Sequence, residues 1–142
     1  MDDQQTPRSV QRLDAAQRAL LQKFYRHHGS KMRITQQAEA WVIREQSIIA
    51  GLCLAPVAEG YWLTGLFTAP SFRQQGAALQ LINHIQAVYP DTPIWLFCHP
   101  DLHDFYTRAG FKQTQQLPEA LKSRLDRYQQ HKTLIAMHAI KS

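Results

Sequence analysis

Between an apolar run and a helical repeat, the chain carries the stretch Arg73-Gln74-Gln75-Gly76-Ala77-Ala78. The run before it, residues 61–70, predicts a buried strand, and the apolar spacing over residues 79–89 predicts a helix. A strand, a short turn and a helix start form an anion site, because the free N–H groups of the first helical turn converge there and the helix dipole adds partial positive charge. Gly76 has no side chain to keep a phosphate away, and Arg73 adds a permanent charge. Taken alone, the stretch equally fits a helix start with a small residue for close packing on a sheet.

A second strand and helix follow further along the chain. Residues 94–99 predict another buried strand, and residues 100–110 predict a short helix that ends at Gly110. That helix leads through Phe105-Tyr106-Thr107-Arg108-Ala109-Gly110-Phe111. In their order and spacing, residues 66–78 and 105–111 resemble the pyrophosphate-binding motif and a later motif of the GNAT superfamily of acyl-CoA-dependent N-acyltransferases. The resemblance extends over residues 40–115.

The resemblance implies a fold and a cosubstrate. We expect a single domain over residues 1–142, of the α/β (α+β) class, with a mixed, mostly antiparallel central sheet, flanking helices and splayed central strands. The pantetheine arm of acetyl-CoA would lie between the splayed strands. Its expected backbone contacts on the first of them are Leu66, Phe67 and Thr68. The pyrophosphate would accept hydrogen bonds from the amides of Gln74, Gln75, Gly76, Ala77 and Ala78, beside the charge of Arg73. Gln74 and Ala78 stand where the family usually has glycine, a change compatible with donation by backbone amides.

The resemblance also implies candidates for catalysis. Tyr106 matches the position of a general acid that gives its phenolic proton to the departing CoA thiolate; the alternative is an aromatic residue that only packs the short helix. The acceptor amine must lose a proton before it attacks. Candidates for the base are Glu59, His99 and His103, and a chain of water molecules is an equal alternative. His99 stands where family members often carry Asn, so orienting the helix start or the cofactor is its other interpretation.

Composition excludes several classes of protein. With 142 residues, 44% hydrophobic and 19% charged, the chain is long enough for one core and is not of disordered composition. No apolar run approaches the ~20 residues of a membrane-spanning helix, and the first residues lack a signal pattern, so a cytoplasmic location and no membrane partner are expected.

Basic residues exceed acidic ones by 16 − 11 = 5. This suits the polyanion coenzyme A, whereas their scatter does not favour nucleic acid. Cys53 and Cys98 lie in predicted strands without a metal-ligand pattern, so buried thiols and no metal are expected.

The remaining elements follow from periodicity and turn residues. Asp14 and Gln17 form a capping-box pattern, so a helix is predicted over residues 14–28 with its end at Gly29. The first strand is faint, because residues 31–40 are polar. The other predictions are a loose tail over 1–8, a hairpin of 41–45 and 47–56, a helix over 72–89, a strand at 111–114, a helix from Pro118 and a strand over 133–140.

Three functions are compatible with these residues. The first is direct transfer of an acetyl group from acetyl-CoA to a primary amine of a small metabolite, an antibiotic-like compound, a peptide N-terminus or a lysine. The second is a non-catalytic regulatory module that binds acyl-CoA, favoured by the lack of a clear base. The third is acyl transfer to aminoacyl-tRNA. A homodimer is a further expectation, with the C-terminal strand completed by a neighbouring subunit.

Overall fold

The computed structural model describes residues 7–140. The strands are β1 Ser9–Leu13, β2 Glu39–Arg44, β3 Ile48–Val57, β4 Gly60–Thr68, β5 Ile94–Cys98, β6 Lys112–Gln113 and β7 Ile135–Ala139. The α-helices are α1 Arg18–His27, α2 Ala77–Val88, α3 His103–Arg108 and α4 Glu119–Tyr128, with short 3-10 helices at Pro70–Phe72 and Pro100–Leu102. No helix of this described part of the chain is long and apolar enough to cross a membrane.

The strands form one 7-stranded sheet in the order β1-β2-β3-β4-β5-β7-β6. Every neighbouring pair is antiparallel except β4 and β5, which run parallel. The expected mixed, mostly antiparallel sheet with flanking helices is thereby confirmed. Strand β7 pairs with β5 on one side and, at Met137 and His138, with β6 on the other, so within the described residues it is not an edge strand left for a neighbouring subunit to complete.

Alternating side chains divide the core between the two faces of the sheet. On one face, Ile43, Leu63 and Leu96 pack with the apolar stripe of α2 and with Tyr106 of α3. On the other, Val42 and Cys53 pack with α1. Burial of these two faces places α2 and α3 on one side of the sheet and α1 on the other. Helix α4 lies on the side of α1, because its Arg124 stacks on Trp62 of β4.

Three predicted elements are corrected by the structure. The first strand lies at Ser9–Leu13, ahead of α1, and not within residues 31–40; its mixed polar sequence hid it, because it is an edge strand with one neighbour. Helix α1 begins at Arg18, since residues 14–17 form a turn in which Asp14 Oδ1 accepts from the Gln17 amide at 2.8 Å and Gln17 Oε1 accepts from the Asp14 amide at 3.3 Å. Helix α2 begins at Ala77 rather than at residue 72, which leaves residues 73–76 as a loop.

Most of the tail expected over residues 1–8 lies outside the described residues. Arg8, which is described, is held by neighbours. Its Nε donates to Glu45 at 3.1 Å, and its guanidinium donates to the carbonyl of Gln75 at 3.1 Å and to Gln80 at 3.3 Å. Arg8 therefore links the hairpin of β2 and β3 to the loop that precedes α2.

Candidate functional site

Strands β4 and β5 pair only where they begin. Their register has two pairs, Tyr61 with Ile94 and Trp62 with Trp95, so beyond Trp62 the edge of β4 that faces β5 has no ladder partner. The unpaired backbone of residues 63–68 can thus hydrogen-bond an extended ligand as a neighbouring strand would. The splayed strands expected from the sequence are present, and the free edge includes the predicted contacts Leu66, Phe67 and Thr68.

A bulge in β4 accompanies this separation. The register against β3 shifts between Gly51 and Cys53, and Gly65 has φ +67° on the opposing stretch. A bulge bends its strand, and here it also changes which face the following side chains occupy: Leu66 packs toward α2, whereas Phe67 packs toward α1. The hydroxyl of Tyr25 donates to the carbonyl of Gly65 at 2.7 Å and holds the bend. A Cβ at Gly65 would lie 2.8 Å from that hydroxyl, so glycine is required there for space as well as for φ.

The loop that follows β4 presents free backbone donors. None of the hydrogen bonds of residues 7–140 has its donor in the amides of residues 74–79; the amide of Gln80 is the first of α2 to find a partner, the carbonyl of Gly76 at 2.9 Å. Gln74 at φ +64° and Gly76 at φ +80° adopt left-handed backbone, and such alternation turns successive N–H groups toward one concave point. Nothing lies within 4 Å of a Cβ placed on Gly76, so the concavity is open. These donors fit a diphosphate, and the loop is longer than the sequence predicted.

Arg73 is placed beside the loop but is turned toward β4. Its Nε donates to the carbonyl of Thr68 at 3.0 Å, and its guanidinium lies 5.2 Å from the centre of the Phe67 ring. One of the predicted pantetheine contacts, the Thr68 carbonyl, is therefore already hydrogen-bonded. The exposed guanidinium keeps further N–H donors for an anion.

Tyr106 lies in α3, on the face of the sheet that α2 covers. Its side chain is buried between Phe105 and Phe111, whose ring centres lie 5.0 and 5.8 Å away. Burial, and then the neighbouring Cys98, raise the pKa of the Tyr106 hydroxyl above its usual 10.0. The phenol therefore stays protonated at neutral pH, which is the state that a general acid requires. Burial also raises the pKa of Cys98 to about 11, so this thiol is not an activated nucleophile.

The structure does not bring the candidate bases to the same place. Nδ1 of His99 accepts from the amide of Asp101 at 3.1 Å, so His99 caps the 3-10 helix that begins at Pro100. This contact agrees with the alternative that His99 orients the start of the helix. Glu59 lies exposed in the turn before β4. At about 3.3 Å per strand residue, it is about 13 Å along β4 from Leu63, where the strands separate. His103 is paired with Asp104 on α3 at 3.2 Å.

A cavity of about 650 Å³ reaches the separated strands from the side of α1 and α4. Leu63, Thr64 and Phe97 form the part next to β4 and β5, while the segment between α1 and β2 and the helix α4 form the walls. Of the candidate bases, none lines this cavity. It lies on the sheet face opposite Tyr106, so an acceptor here and a proton donor there would approach a thioester held between β4 and β5 from different sides.

Comparison with models of protein families identifies the family of this chain. The model of the Acetyltransferase (GNAT) domain matches residues 4–125. This chain belongs to the GNAT acetyltransferase family. A comparison with curated proteins finds no match for this chain.

Solved structures share the fold at low identity. The ribosomal-protein-S18-alanine N-acetyltransferase from Escherichia coli is 11% identical, with a TM-score of 0.69 over 96% of each chain. Naa50 from Arabidopsis thaliana, in complex with a bisubstrate analogue of CoA and a peptide, is 13% identical, with a TM-score of 0.67 over 95% of this chain and 98% of the other. N-acetylglutamate synthase from Neisseria gonorrhoeae, complexed with coenzyme A and N-acetyl-glutamate, is 12% identical, with a TM-score of 0.67 over 96% of this chain and 35% of the other.

Several residues at the loop before α2 and in the cavity were not predicted from the sequence. Arg8 was assigned to the tail, yet it holds the carbonyl of Gln75. Arg124 and Lys132 were not singled out from the sequence, yet both line the cavity. No local pattern marks these residues, because each meets the site through contacts between distant parts of the chain. Only helical periodicity could have indicated Arg124, because it places this residue beside Leu121 on the inner side of α4.

Proposed function

We propose that this GNAT domain transfers an acetyl group from acetyl-CoA to a primary amine by direct transfer. The observation that carries the proposal is the free amides of residues 74–79 at the end of a strand that has separated from its parallel neighbour. Gly76 stands at the centre of those amides, and a diphosphate needs several converging N–H donors. Two of the structural neighbours are an N-acetyltransferase and an N-acetylglutamate synthase by name, and two neighbouring structures contain coenzyme A or an analogue that includes it.

In this proposal most of the predicted cofactor-binding residues have a task. The amides of Gln74, Gln75, Gly76, Ala77 and Ala78 hold the pyrophosphate, with Arg73 beside them. The backbone of Leu66 and Phe67 pairs with the pantetheine arm, which places the thioester near Leu63. The arm brings the acetyl carbonyl to the cavity on the α4 side.

The chemistry balances with Tyr106 as acid. The neutral amine attacks the thioester carbonyl, a C–N bond forms, and the C–S bond of the tetrahedral intermediate breaks. The leaving sulfur takes the phenolic proton of Tyr106, and the nitrogen gives up one proton to water in the cavity. The tyrosinate regains a proton from solvent once the product leaves. Water is proposed as the acceptor of this proton because His99 is engaged as a cap and Glu59 lies away from the separated strands.

Replacing Tyr106 by Phe tests the assignment. We expect kcat for thiol release from acetyl-CoA to fall by about 10²–10⁴, while the Kd for coenzyme A stays unchanged because the phosphate-binding loop is untouched. The ring is buried by Phe105 and Phe111, so the variant keeps its packing. Unchanged turnover in the Phe variant would remove Tyr106 from the mechanism.

A second function is favoured by one observation. The part of the cavity that the described residues form contains no carboxylate and no histidine, so the site lacks a built-in base. A regulatory module that binds acyl-CoA without turnover fits this feature. Coenzyme A binding without thiol release, over a broad panel of amines, would favour this function over catalysis. A cytoplasmic location and a homodimer stay predictions from the sequence.

A further inference from the structure

We infer that the acceptor is a small primary amine that also carries a carboxylate, an inference that rests on the proposed acetyl transfer. The cavity beside the separated strands is lined by Arg33, Arg124 and Lys132. Within residues 7–140 no Asp or Glu lines it, and none of these three cations takes part in a salt bridge there. The cavity therefore carries positive charge that a bound anion can neutralise.

Arg124 is held against the last paired residue of β4. Its guanidinium lies 4.6 Å from the centre of the Trp62 ring, and Trp62 is the last residue of β4 that pairs with β5. A guanidinium stacked on an aromatic ring keeps its N–H groups free at the edge, where they can bind a carboxylate with two parallel hydrogen bonds. The charge is thus fixed close to where the strands separate, while Lys132 lies 5.4 Å from the ring centre of Tyr128 at the wall.

Trp62 supplies an independent observation. Its indole Nε1 is buried and has no hydrogen-bond partner in the described chain, although Trp62 lines the cavity. A buried donor without an acceptor is costly and uncommon in folded proteins. Because Arg124 stacks on this same ring, the unpaired indole is a second donor close to the fixed charge.

The same charges select against other acceptors. A polyamine, or any amine with a second ammonium group, would meet cations without a carboxylate to hold it. Neighbouring positive charge also favours the neutral form of an amine, which is the form that attacks the thioester. The cavity volume of about 650 Å³ lies in the range of small-molecule sites.

Amines matched in length provide the test on the full chain. Glycine, 4-aminobutyrate and 6-aminohexanoate are compared with the alkylamines and the diamines of the same length, and thiol release from acetyl-CoA is measured. We expect kcat/KM to be at least about 10-fold higher for the best amino acid than for its matched alkylamine, and higher still relative to the diamine. A preference for an alkylamine or a diamine overturns the inference and leaves the acetyltransferase proposal intact.

Charge removal at one position gives the matched control. Arg124→Gln should raise KM for the amino acid about 10-fold and leave the alkylamine unaffected, whereas Arg127→Gln, on the same helix but outside the cavity, should change neither. An equal loss for both substrates in Arg124→Gln would indicate a structural role and overturn the inference.

Binding without turnover keeps the two proposals separable. If no amine releases thiol, the acetyltransferase proposal fails, and thermal shift with the same series then decides the inference. The amino acids should raise Tm of the unchanged protein but not of Arg124→Gln. Equal shifts, or none at all, overturn the carboxylate site.

Discussion

Replacing Gly76 by Ala perturbs the loop that is proposed to hold the pyrophosphate. Gly76 has φ +80°, and a Cβ added there meets no protein atom within 4 Å. Stability is therefore affected only through the backbone, because the left-handed conformation costs an L-residue about 1–2 kcal/mol. The chain offers a matched glycine: Gly29, after α1, has φ +75° and equally open surroundings. Gly76→Ala and Gly29→Ala should lose similar unfolding free energies, about 1 kcal/mol each.

Affinity for coenzyme A should separate the two variants. At Gly76 the amides of residues 74–79 are free, and relaxation of the left-handed φ after substitution would turn one of those N–H groups away. Each hydrogen bond to a charged group contributes about 1.5–3 kcal/mol, so losing one raises the Kd about 10-fold to 100-fold. Gly29→Ala should bind as tightly as the unchanged protein.

Urea unfolding and calorimetric titration with coenzyme A measure the two effects. Gly76→Asn serves as a further variant, because asparagine tolerates left-handed backbone better than alanine and carries a larger side chain. It should be more stable than Gly76→Ala and bind coenzyme A no better. If both glycine positions give the same Kd on substitution, the pyrophosphate does not bind at residues 74–79 and the reasoning is wrong.

Two other predictions concern pH and the buried Glu39. Burial raises the pKa of Tyr106 above 10.0, so the phenol keeps its proton at pH values where the acceptor amine loses one. We therefore expect kcat/KM to rise from about pH 7 to about pH 9.5. A fall in kcat/KM below pH 9 would contradict the role of Tyr106 as the acid. Glu39 accepts from Tyr61 at 2.8 Å, from Tyr89 at 2.8 Å and from the indole of Trp41 at 3.0 Å. Glu39→Ala leaves these donors without an acceptor, so the free energy of unfolding in urea should fall by about 2–4 kcal/mol. Glu119→Ala, on the exposed side of α4, serves as the control. A loss below about 0.5 kcal/mol in Glu39→Ala would refute the role of this network.

Local sequence signals predicted most elements of the fold. Gly29 and Gly110 mark helix ends because each has positive φ two residues beyond the last residue of its helix. The apolar runs of β4 and β5 are long because both strands lie inside the sheet, each between two neighbouring strands. The polar edge strand β1 gave no such signal, since an edge strand buries little of its surface.

The loop proposed to bind the pyrophosphate shows where local prediction ends. Its position between strand and helix follows from residues 61–89, but periodicity placed the start of α2 at residue 72. The left-handed backbone of Gln74 and the hydrogen bonds of Arg8 determine that the loop stays open to Ala77. Arg8 is separated from Gln75 by 67 positions, so no window of sequence contains both residues.

The sequence by itself determined the family, the order of the motifs and the residues that supply backbone donors, because each of these depends on neighbours within a few positions. Tertiary structure alone decided that β4 and β5 separate beyond Trp62, that His99 serves as a cap, and that Arg33, Arg124 and Lys132 line one cavity. The physical reason is that strand separation and cavity charge come from packing between segments far apart in the chain. A helix repeat or a turn residue carries no information about which distant side chain it will meet.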